Sequence, residues 1–228
     1  MQSNIVKSNS VTNFLKTALV PAHRTMYIWG GGWRESGDLF RRGLNPKWEE
    51  FYRLQNAGYD FNEHRFEREH GLDCSGYVGW VMYNFLESDA DYVTFAKNQA
   101  AMFTEMGLGE YLPKAKCFEP GDIVSGNDHV YIAVKQCRDG SVILLHSSPP
   151  GVQLCAADNR GGDSQAACLV KCYTEKYYPE WYKKFGFCSR GAVYMRDVSV
   201  FRWNKSITPD TDCLKKMSPE RVLYKLFE

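Results

Sequence analysis

The sequence contains no long apolar run and almost no net charge, and each absence excludes a class of protein. A membrane-spanning helix needs about eighteen consecutive apolar residues, and no such stretch occurs, so we expect no membrane span. The formal net charge is +1, so no overall field favours nucleic acid or an anionic membrane surface as a partner. Residues 1–10 are polar and lack the apolar centre of a secretory signal, so we expect cytoplasmic action, or a targeting segment or neighbouring modules that were removed.

The cysteines also lack a recognisable metal-binding pattern. Cys168 and Cys172 have no second pair and no histidine at the spacing of a zinc site. We therefore expect no metal and no other cofactor, and we interpret most of the eight cysteines as reduced structural thiols. The 228 residues suffice for one domain with a substantial core, and a monomer is the favoured state.

The chain is organised around residues 71–86, which read GLDCSGYVGWVMYNFL. The second half is apolar on almost every face, which favours a buried helix through the middle of a domain. Asp73 is a candidate N-cap, which places Cys74 and Ser75 in the first helical turn. Free backbone N–H groups and the helix dipole stabilise negative charge there, so we expect a lowered pKa and partial thiolate character at Cys74. The alternative is a small buried core cysteine.

The other patterns predict helices first and a sheet second. Spacing and capping signals indicate helices at residues 11–19, 46–57 and 92–107, and a surface helix or loop at 173–185. Period-two alternation predicts strands at residues 129–134, 142–146, 152–156 and 192–203. Residues 26–33, MYIWGGGW, read as a strand running into glycines that let another backbone approach closely, and Gly76 leaves similar room. This order is typical of an α+β domain in which helices pack against an antiparallel sheet.

Two histidines occupy strand positions from which they can assist a nucleophile. Acyl transfer through sulfur needs a base within hydrogen-bond reach and a third group that orients the base. His129 is the candidate base and His146 the candidate orienting group. A two-residue turn at Asp139–Gly140 would pair His146 with Ala133, on the face of His129 but about 13 Å away from it. We therefore predict a wide loop over residues 135–140, which sets the two imidazoles opposite each other.

These features occur in the order of a known family. They are Tyr27-x-Trp29-Gly30-Gly31, Asp73-Cys74-Ser75-Gly76, Asn98-Gln99 with Gly107, Pro120-Gly121-Asp122, His129-Val130 at the start of a strand, and His146 at the end of the next. Together they resemble the NlpC-type cell-wall cysteine peptidases over residues 11–160. The resemblance implies a papain-like α+β fold, with the nucleophile at the start of a buried central helix packed on an antiparallel sheet.

The resemblance also implies an activity. It indicates a hydrolase, a thiol endopeptidase that cleaves amide bonds in peptidoglycan stem peptides, commonly between D-γ-glutamate and a diamino acid. By position, Cys74 is the nucleophile, His129 the base and His146 the orienting residue. The family's partners are muropeptides, and its members are secreted or associated with the cell wall.

Three more site residues follow from the resemblance. Tyr27 lines the site near the sulfur and can help to hold the oxyanion. Asp73 and Ser75 contact the substrate, and the carboxylate can pair with a stem-peptide amine. The backbone N–H of Cys74, at its helix end, is a natural oxyanion donor.

Residues 34–70 depart from the family, which usually passes from the glycine turn to the cysteine in fewer residues. We interpret them as an insertion within one catalytic domain spanning residues 1–228. The segment leaves one cleft wall and returns at the nucleophile, so we predict that it covers or reshapes the groove through basic and aromatic residues, namely Arg34, Arg41, Arg42, Trp48, Tyr52 and Arg53. A solvated surface helix is the alternative. A second departure is Tyr131, where family members often carry glycine.

Two other functions fit the same residues. Related amidases, acyltransferases and toxin-like effectors use the same triad and differ in the acceptor. An inactive wall-binding or scaffold module would keep the fold, and a collapsed cleft would favour it.

Overall fold

Seven α-helices and nine strands make up the part of the chain that the computed structural model describes, residues 9–32, 42–158 and 162–228. The helices are α1 (Val11–Leu19), α2 (Pro46–Leu54), α3 (Cys74–Leu86), α4 (Gln99–Glu105), α5 (Gln165–Tyr177), α6 (Pro179–Phe185) and α7 (Pro219–Phe227). The strands are β1 (Met26–Tyr27), β2 (Gly71–Leu72), β3 (Gly109–Leu112), β4 (Ile123–Ser125), β5 (Val130–Gln136), β6 (Val142–Ser148), β7 (Gly151–Asp158), β8 (Cys188–Gly191) and β9 (Ser199–Trp203).

The strands form one curled sheet, a half-barrel, in the order β2-β1-β7-β6-β5-β4-β9-β3, with β8 paired to β7. Neighbours are antiparallel except β1 with β2 and β7 with β8. The predicted α+β class is confirmed. The prediction of a wholly antiparallel sheet is wrong, because these two strand pairs are parallel. Each parallel pair is joined by a long connection, residues 28–70 and 159–187, because parallel strands cannot be linked by a tight turn.

Helix α3 is the buried centre of the fold, as its sequence predicts. Residues 76–85 are all buried. Asp73 caps the N-terminus by accepting the Gly76 N–H at 2.7 Å, and Glu87 ends the helix in the left-handed conformation. The Tyr77 hydroxyl donates to the Ala18 carbonyl at 2.9 Å, which ties α3 to α1. These contacts hold the first turn of α3 in one place relative to the sheet.

The glycines predict that another backbone approaches closely, and at this first turn the backbones of Gly31 and Gly76 do so. The Gly31 carbonyl accepts the Asp73 N–H at 2.9 Å. It also lies 2.2 Å from the position that a Cβ on Gly76 would occupy, so a side chain at residue 76 collides with backbone. The contact anchors the end of β1, which carries Tyr27, to the start of α3.

Gly76→Ala is therefore expected to lower the free energy of unfolding by about 2 kcal/mol or more, because the methyl group must displace the Gly31 backbone. Urea unfolding followed by circular dichroism measures the change. Gly32→Ala is the matched control, since a Cβ there meets no atom within 4 Å. Equal stability of the two variants would contradict the steric argument.

Successive side chains of β5 point alternately into two core layers, one on each side of the sheet. Val130, Ile132 and Val134 pack in a layer shared with α1, α3 and α7. Tyr131 and Ala133 pack in the other layer, on the opposite side of the sheet. This arrangement confirms the predicted period of two.

The β5–β6 connection is a short turn, and the predicted wide loop over residues 135–140 is wrong. The Cys137 N–H donates to the Ser141 carbonyl at 2.7 Å, so residues 138–140 alone complete the hairpin. Gly140 takes φ +86° within the turn, a left-handed conformation that glycine adopts without strain.

A β-bulge in β5 shifts the pairing by one residue, which is part of the displacement that the wide loop was expected to provide. The pairing with β6 shifts between Ala133 and Lys135. Continuing the register past the shift sets His146 opposite Tyr131, two positions from His129 and on the same face. The two histidines therefore share a face, as the parity predicts, but they meet along a diagonal.

Other elements differ in extent from their sequence patterns. Helix α2 ends at Leu54 because the Asn56 side chain accepts the Gly58 N–H at 2.8 Å and turns the chain. Within residues 92–107 only α4 is α-helical, and the last predicted strand begins at Ser199. Residues 173–185 are helical apart from Tyr178, and α7, β2, β3 and β8 were not predicted. No described helix combines the length and apolar character needed to cross a membrane.

Candidate active site

Cys74 lies at the start of α3 and lines an open cleft of about 640 Å³. Aromatic and charged side chains surround it, and the lining includes Tyr27, Trp29, Asp73, Phe95, Lys97 and Asp128. Trp29 and Phe95 expose 46% and 78% of their surface, so two aromatic faces are available at the cleft. A ligand in the cleft can thus reach the sulfur.

Three backbone groups near the Cys74 sulfur favour its charged form and lower its pKa, namely those of Val130, Ser75 and Cys74 itself. Because Val130 directly follows His129, the sulfur and the candidate base meet at the start of β5. A direct hydrogen bond between the Cys74 thiol and the His129 ring is absent from the described structure, and catalytic contacts of this kind often tighten only when substrate binds.

The two candidate histidines are hydrogen-bonded to each other. His129 Nε2 lies 2.9 Å from His146 Nδ1, with the rings at 86°. This bond leaves Nδ1 of His129 as the nitrogen that can serve Cys74. His146 is completely buried. The structure thus brings the sequence-predicted base and orienting residue together.

Asp73 and Ser75 line the cleft, but they also bond to each other. The Asp73 carboxylate accepts the Ser75 hydroxyl at 3.0 Å in addition to the Gly76 N–H. Burial raises the pKa of Asp73, while these two hydrogen bonds lower it. Capping α3 is therefore the role of Asp73 in this structure, and its contact with a substrate stays a prediction.

Tyr27 carries a neutral hydroxyl near the sulfur. Burial raises the pKa of Tyr27 above its ordinary value, and negative charge on Cys74 or Asp73 raises it further. The Tyr59 hydroxyl donates to the Tyr27 carbonyl at 2.6 Å, and the Phe61 ring packs edge-on against the Tyr27 ring. A neutral O–H held in this way can donate to a developing oxyanion.

The expected low pKa of Cys74 is wrong. Burial raises the pKa of Cys74 to about 11, and Asp73 raises it as well, while the backbone N–H groups lower it by less. Removing the sulfur from water disfavours the thiolate more than the helix terminus favours it. Cys74 is therefore a thiol at rest, and it would need a base to act as a nucleophile.

The histidines are neutral for the same physical reason. Burial lowers the pKa of His129 to about 4, and the nearby Arg190 guanidinium lowers it further. Burial also places the pKa of His146 well below its ordinary value, with added effects of His129 and Arg190. Neutral imidazole is a proton acceptor, so thiol and imidazole can act as a general-base pair without forming an ion pair beforehand.

Sequence reasoning missed Arg190 and Tyr194 at this site. The Tyr194 ring centre lies 5.1 Å from that of His129 and 5.8 Å from that of His146. Arg190 donates to the Pro149 carbonyl at 3.1 Å, which holds its charge near the histidines. Both residues lie beyond the region that resembles the family, and no motif marks them, although Tyr194 falls in the strand predicted over residues 192–203.

A disulfide between Cys155 of β7 and Cys188 of β8 borders the site. The other six cysteines are free, in line with the expectation that most are reduced. Together with His146, the two sulfurs form a group whose donor atoms lie within 4.8 Å of one another. Since the sulfurs are bonded to each other, they are not thiolates and do not offer a zinc ligand set.

Helix α2 is part of the core, so it is neither a lid nor a solvated helix. Trp48 and Tyr52 are buried, and Tyr52 packs with Met26 and Trp181. Arg53 pairs with Glu49 at 2.9 Å on the same helix. Arg42 donates to the Glu87 carbonyl at 2.6 Å, and Arg34 and Arg41 lie outside the described residues.

Within the described part of the 34–70 segment, residues 59–66 contact residues that line the cleft. Tyr59 supports Tyr27, as described above, and the Arg65 guanidinium lies 5.1 Å from the centre of the Trp29 ring. The Phe66 ring approaches Gly30 so closely that a Cβ on the glycine would lie 2.6 Å from it. The segment therefore shapes one wall of the groove from the side.

The buried histidines predict a loss of stability in mild acid. Burial lowers the pKa of His23 to about 3 and of His129 to about 4, below the unfolded value, so below about pH 6.5 the unfolded chain binds more protons. Each such histidine stabilises the folded state fully above about pH 6.5. Below that value the free energy of unfolding falls by about 1.4 kcal/mol per pH unit for each of these histidines, until the histidine is protonated in the folded state as well.

Urea unfolding at about pH 7 and pH 5 tests this prediction. The free energy of unfolding should fall by several kcal/mol, and His23→Phe should reduce the fall because one buried imidazole is gone. His23 stacks on Tyr178 and meets Trp181 edge-on, so a phenyl ring suits its surroundings. Equal falls in both proteins would contradict the assignment of His23.

Comparisons with known proteins identify no relative of this chain. A scan against protein-family models finds no match, and no curated protein matches the chain.

Proposed function

We propose that the chain is a papain-like cysteine peptidase or amidase that hydrolyses amide bonds in peptidoglycan stem peptides, with the bond from D-γ-glutamate to a diamino acid as the favoured target. The observation that carries the proposal is the hydrogen-bonded His129–His146 pair, set beside the N-terminus of a buried helix that begins with Cys74. The open cleft weighs against an inactive wall-binding module.

Acylation starts from the neutral thiol. His129 Nδ1 accepts the Cys74 proton as the sulfur attacks the carbonyl carbon of the scissile amide. His146 accepts a hydrogen bond from His129 Nε2–H and steadies the imidazolium that forms. The oxyanion lies at the start of α3, where the Cys74 N–H and the Tyr27 hydroxyl can donate to it.

Collapse of this intermediate breaks the C–N bond, and His129 returns the proton to the leaving amine. A thioester joins the acyl group to Cys74. Water then attacks the thioester carbonyl, and His129 takes one proton from the water and passes it to the departing sulfur. The free acid leaves, and the thiol is restored.

The cleft suits a short zwitterionic peptide. Asp73 and Asp128 present carboxylates and Lys97 an ammonium group, while Trp29 and Phe95 offer aromatic faces. Stem peptides carry amino and carboxylate groups on small side chains, which match this mixture. Such a substrate implies action at the wall or on released wall fragments.

Digestion of defined muropeptides, with products identified by mass, tests the proposal. We expect cleavage at a γ-glutamyl bond to give two fragments whose masses sum to the mass of the substrate plus one water. Muropeptides that lack the diamino acid are the matched control and should stay intact. Transfer of the acyl group to an added amine would favour an acyltransferase, and no reaction with any muropeptide would refute the proposal.

A further inference from the structure

His146 lies between the base and the disulfide. Its Nδ1 lies 2.9 Å from His129 Nε2, and its Nε2 lies 3.5 Å from Cys188 Sγ. The ring is completely buried, and Cys155 is buried as well. Each ring nitrogen of His146 therefore has a protein partner.

A sulfur in a disulfide carries no hydrogen, so it can accept a hydrogen bond but cannot donate one. For the 3.5 Å contact to be a hydrogen bond, His146 must hold its proton on Nε2, facing Cys188, which leaves Nδ1 as an acceptor. Consequently His129 must hold its proton on Nε2 to form the observed bond, and its Nδ1 keeps a lone pair. That lone pair is what a general base for Cys74 requires.

We propose that the Cys155–Cys188 disulfide is a positioning element that selects the catalytically competent tautomers of His146 and His129, and that its reduction releases this selection. The proposal rests on the proposed role of His129 as base. It assigns to Cys188 a function that acts through His146 and that requires no contact with the substrate.

Reduction by a dithiol reverses the direction of the hydrogen bonds. The reductant gives two electrons and two protons, its own sulfurs join in a disulfide, and Cys155 and Cys188 become thiols. The Cys188 S–H can then donate to His146 Nε2. In that arrangement His146 donates from Nδ1 to His129 Nε2, and His129 carries its proton on Nδ1, where it cannot accept one from Cys74.

The surroundings leave the disulfide as the only described partner of His146 Nε2. The charged and titratable groups described around the histidine pair include Arg190 on β8, Tyr194 after it and Tyr131 on β5. Arg190 bonds instead to Ser148 and Pro149, and the Tyr131 hydroxyl donates to the Tyr194 carbonyl. Strand β8 pairs with β7 alone in the described sheet. A reductant can therefore reach the bond when this edge strand loosens.

Two double variants separate tautomer selection from cross-linking, since both lack the disulfide. In Cys155→Ala/Cys188→Met a thioether sulfur can accept from His146 Nε2–H but cannot donate, whereas Cys155→Ala/Cys188→Ala offers no acceptor. We expect kcat on the muropeptide to fall about tenfold or more in the alanine pair and to recover to within about threefold in the methionine variant, with KM unchanged. Equal kcat values in the two variants would overturn the proposal.

Imidazole ¹⁵N spectra report the tautomers without any substrate. The chain has five histidines, so single substitutions at the other three assign the His129 and His146 signals. Oxidised protein should show protons on Nε2 of both rings, and reduced protein should show a shift of population toward Nδ1–H. Unchanged spectra on reduction would refute the inference even if the enzyme cleaves muropeptides, whereas an inactive wild type with the expected spectra would refute the peptidase alone.

Discussion

Cys74→Ala should abolish muropeptide hydrolysis, with kcat/KM at least about 10⁴-fold below that of the wild type, because the described lining of the cleft holds no other cysteine that can form the thioester. The steady-state rate of product formation, followed by mass, gives the ratio. Alanine fits the first turn of α3 and leaves the Asp73 cap in place, so the fold should be retained. A residual rate near that of the wild type would end the thiol mechanism.

Cys213→Ala is the matched control for this substitution. Cys213 is an exposed free cysteine outside the cleft lining, so its loss should leave the rate unchanged. Unfolding curves for both variants show whether any loss of rate comes from unfolding. A similar loss in Cys213→Ala would point to a role of cysteines other than nucleophilic attack.

His129→Ala should cost about 10³-fold or more in kcat, because the pKa of Cys74, raised by burial to about 11, leaves little thiolate near neutral pH without a base. His146→Leu should cost less, about 10²-fold, since His129 keeps its lone pair but loses its orienting partner. His146→Asn should recover part of that loss, because an amide oxygen can accept from His129 Nε2–H.

A double variant tests whether the two histidines act as one unit. If they do, His129→Ala/His146→Leu should be no slower than His129→Ala alone, since an absent base cannot be oriented. Losses that multiply would show that His146 acts independently of His129. Measuring kcat and KM separately distinguishes this effect from a change in substrate binding.

The pH dependence of the rate follows from the same pKa values. With the pKa of His129 near about 4 and that of Cys74 near about 11, thiol and neutral imidazole coexist over a wide range between them. A general-base mechanism then has a broad plateau between these two pKa values, which initial rates measured across pH reveal.

The sequence by itself determined the features that depend on a few neighbouring residues. Helix α3, its Asp73 cap and the alternation along β5 arise from local capping and from periodic apolar residues that any packing must bury. The close approach of another backbone to Gly76 could also be predicted from the sequence, because only a residue without a Cβ leaves room for it. Motif order brought Cys74, His129 and His146 forward as candidates.

Only the tertiary structure decided how these residues meet and how they titrate. A bulge between Ala133 and Lys135, not a wide loop, sets the register of the two histidines. The alternation of side chains predicts only which face each histidine lies on, and different combinations of turn length and bulge give the same face. Cys188 reaches His146 across strands far apart in sequence. The pKa of Cys74 rises because the sulfur is removed from water by residues from many parts of the chain. The helix terminus, which favours the thiolate, is formed by residues next to Cys74 in sequence, so it is the one part of this environment that the sequence pattern reveals.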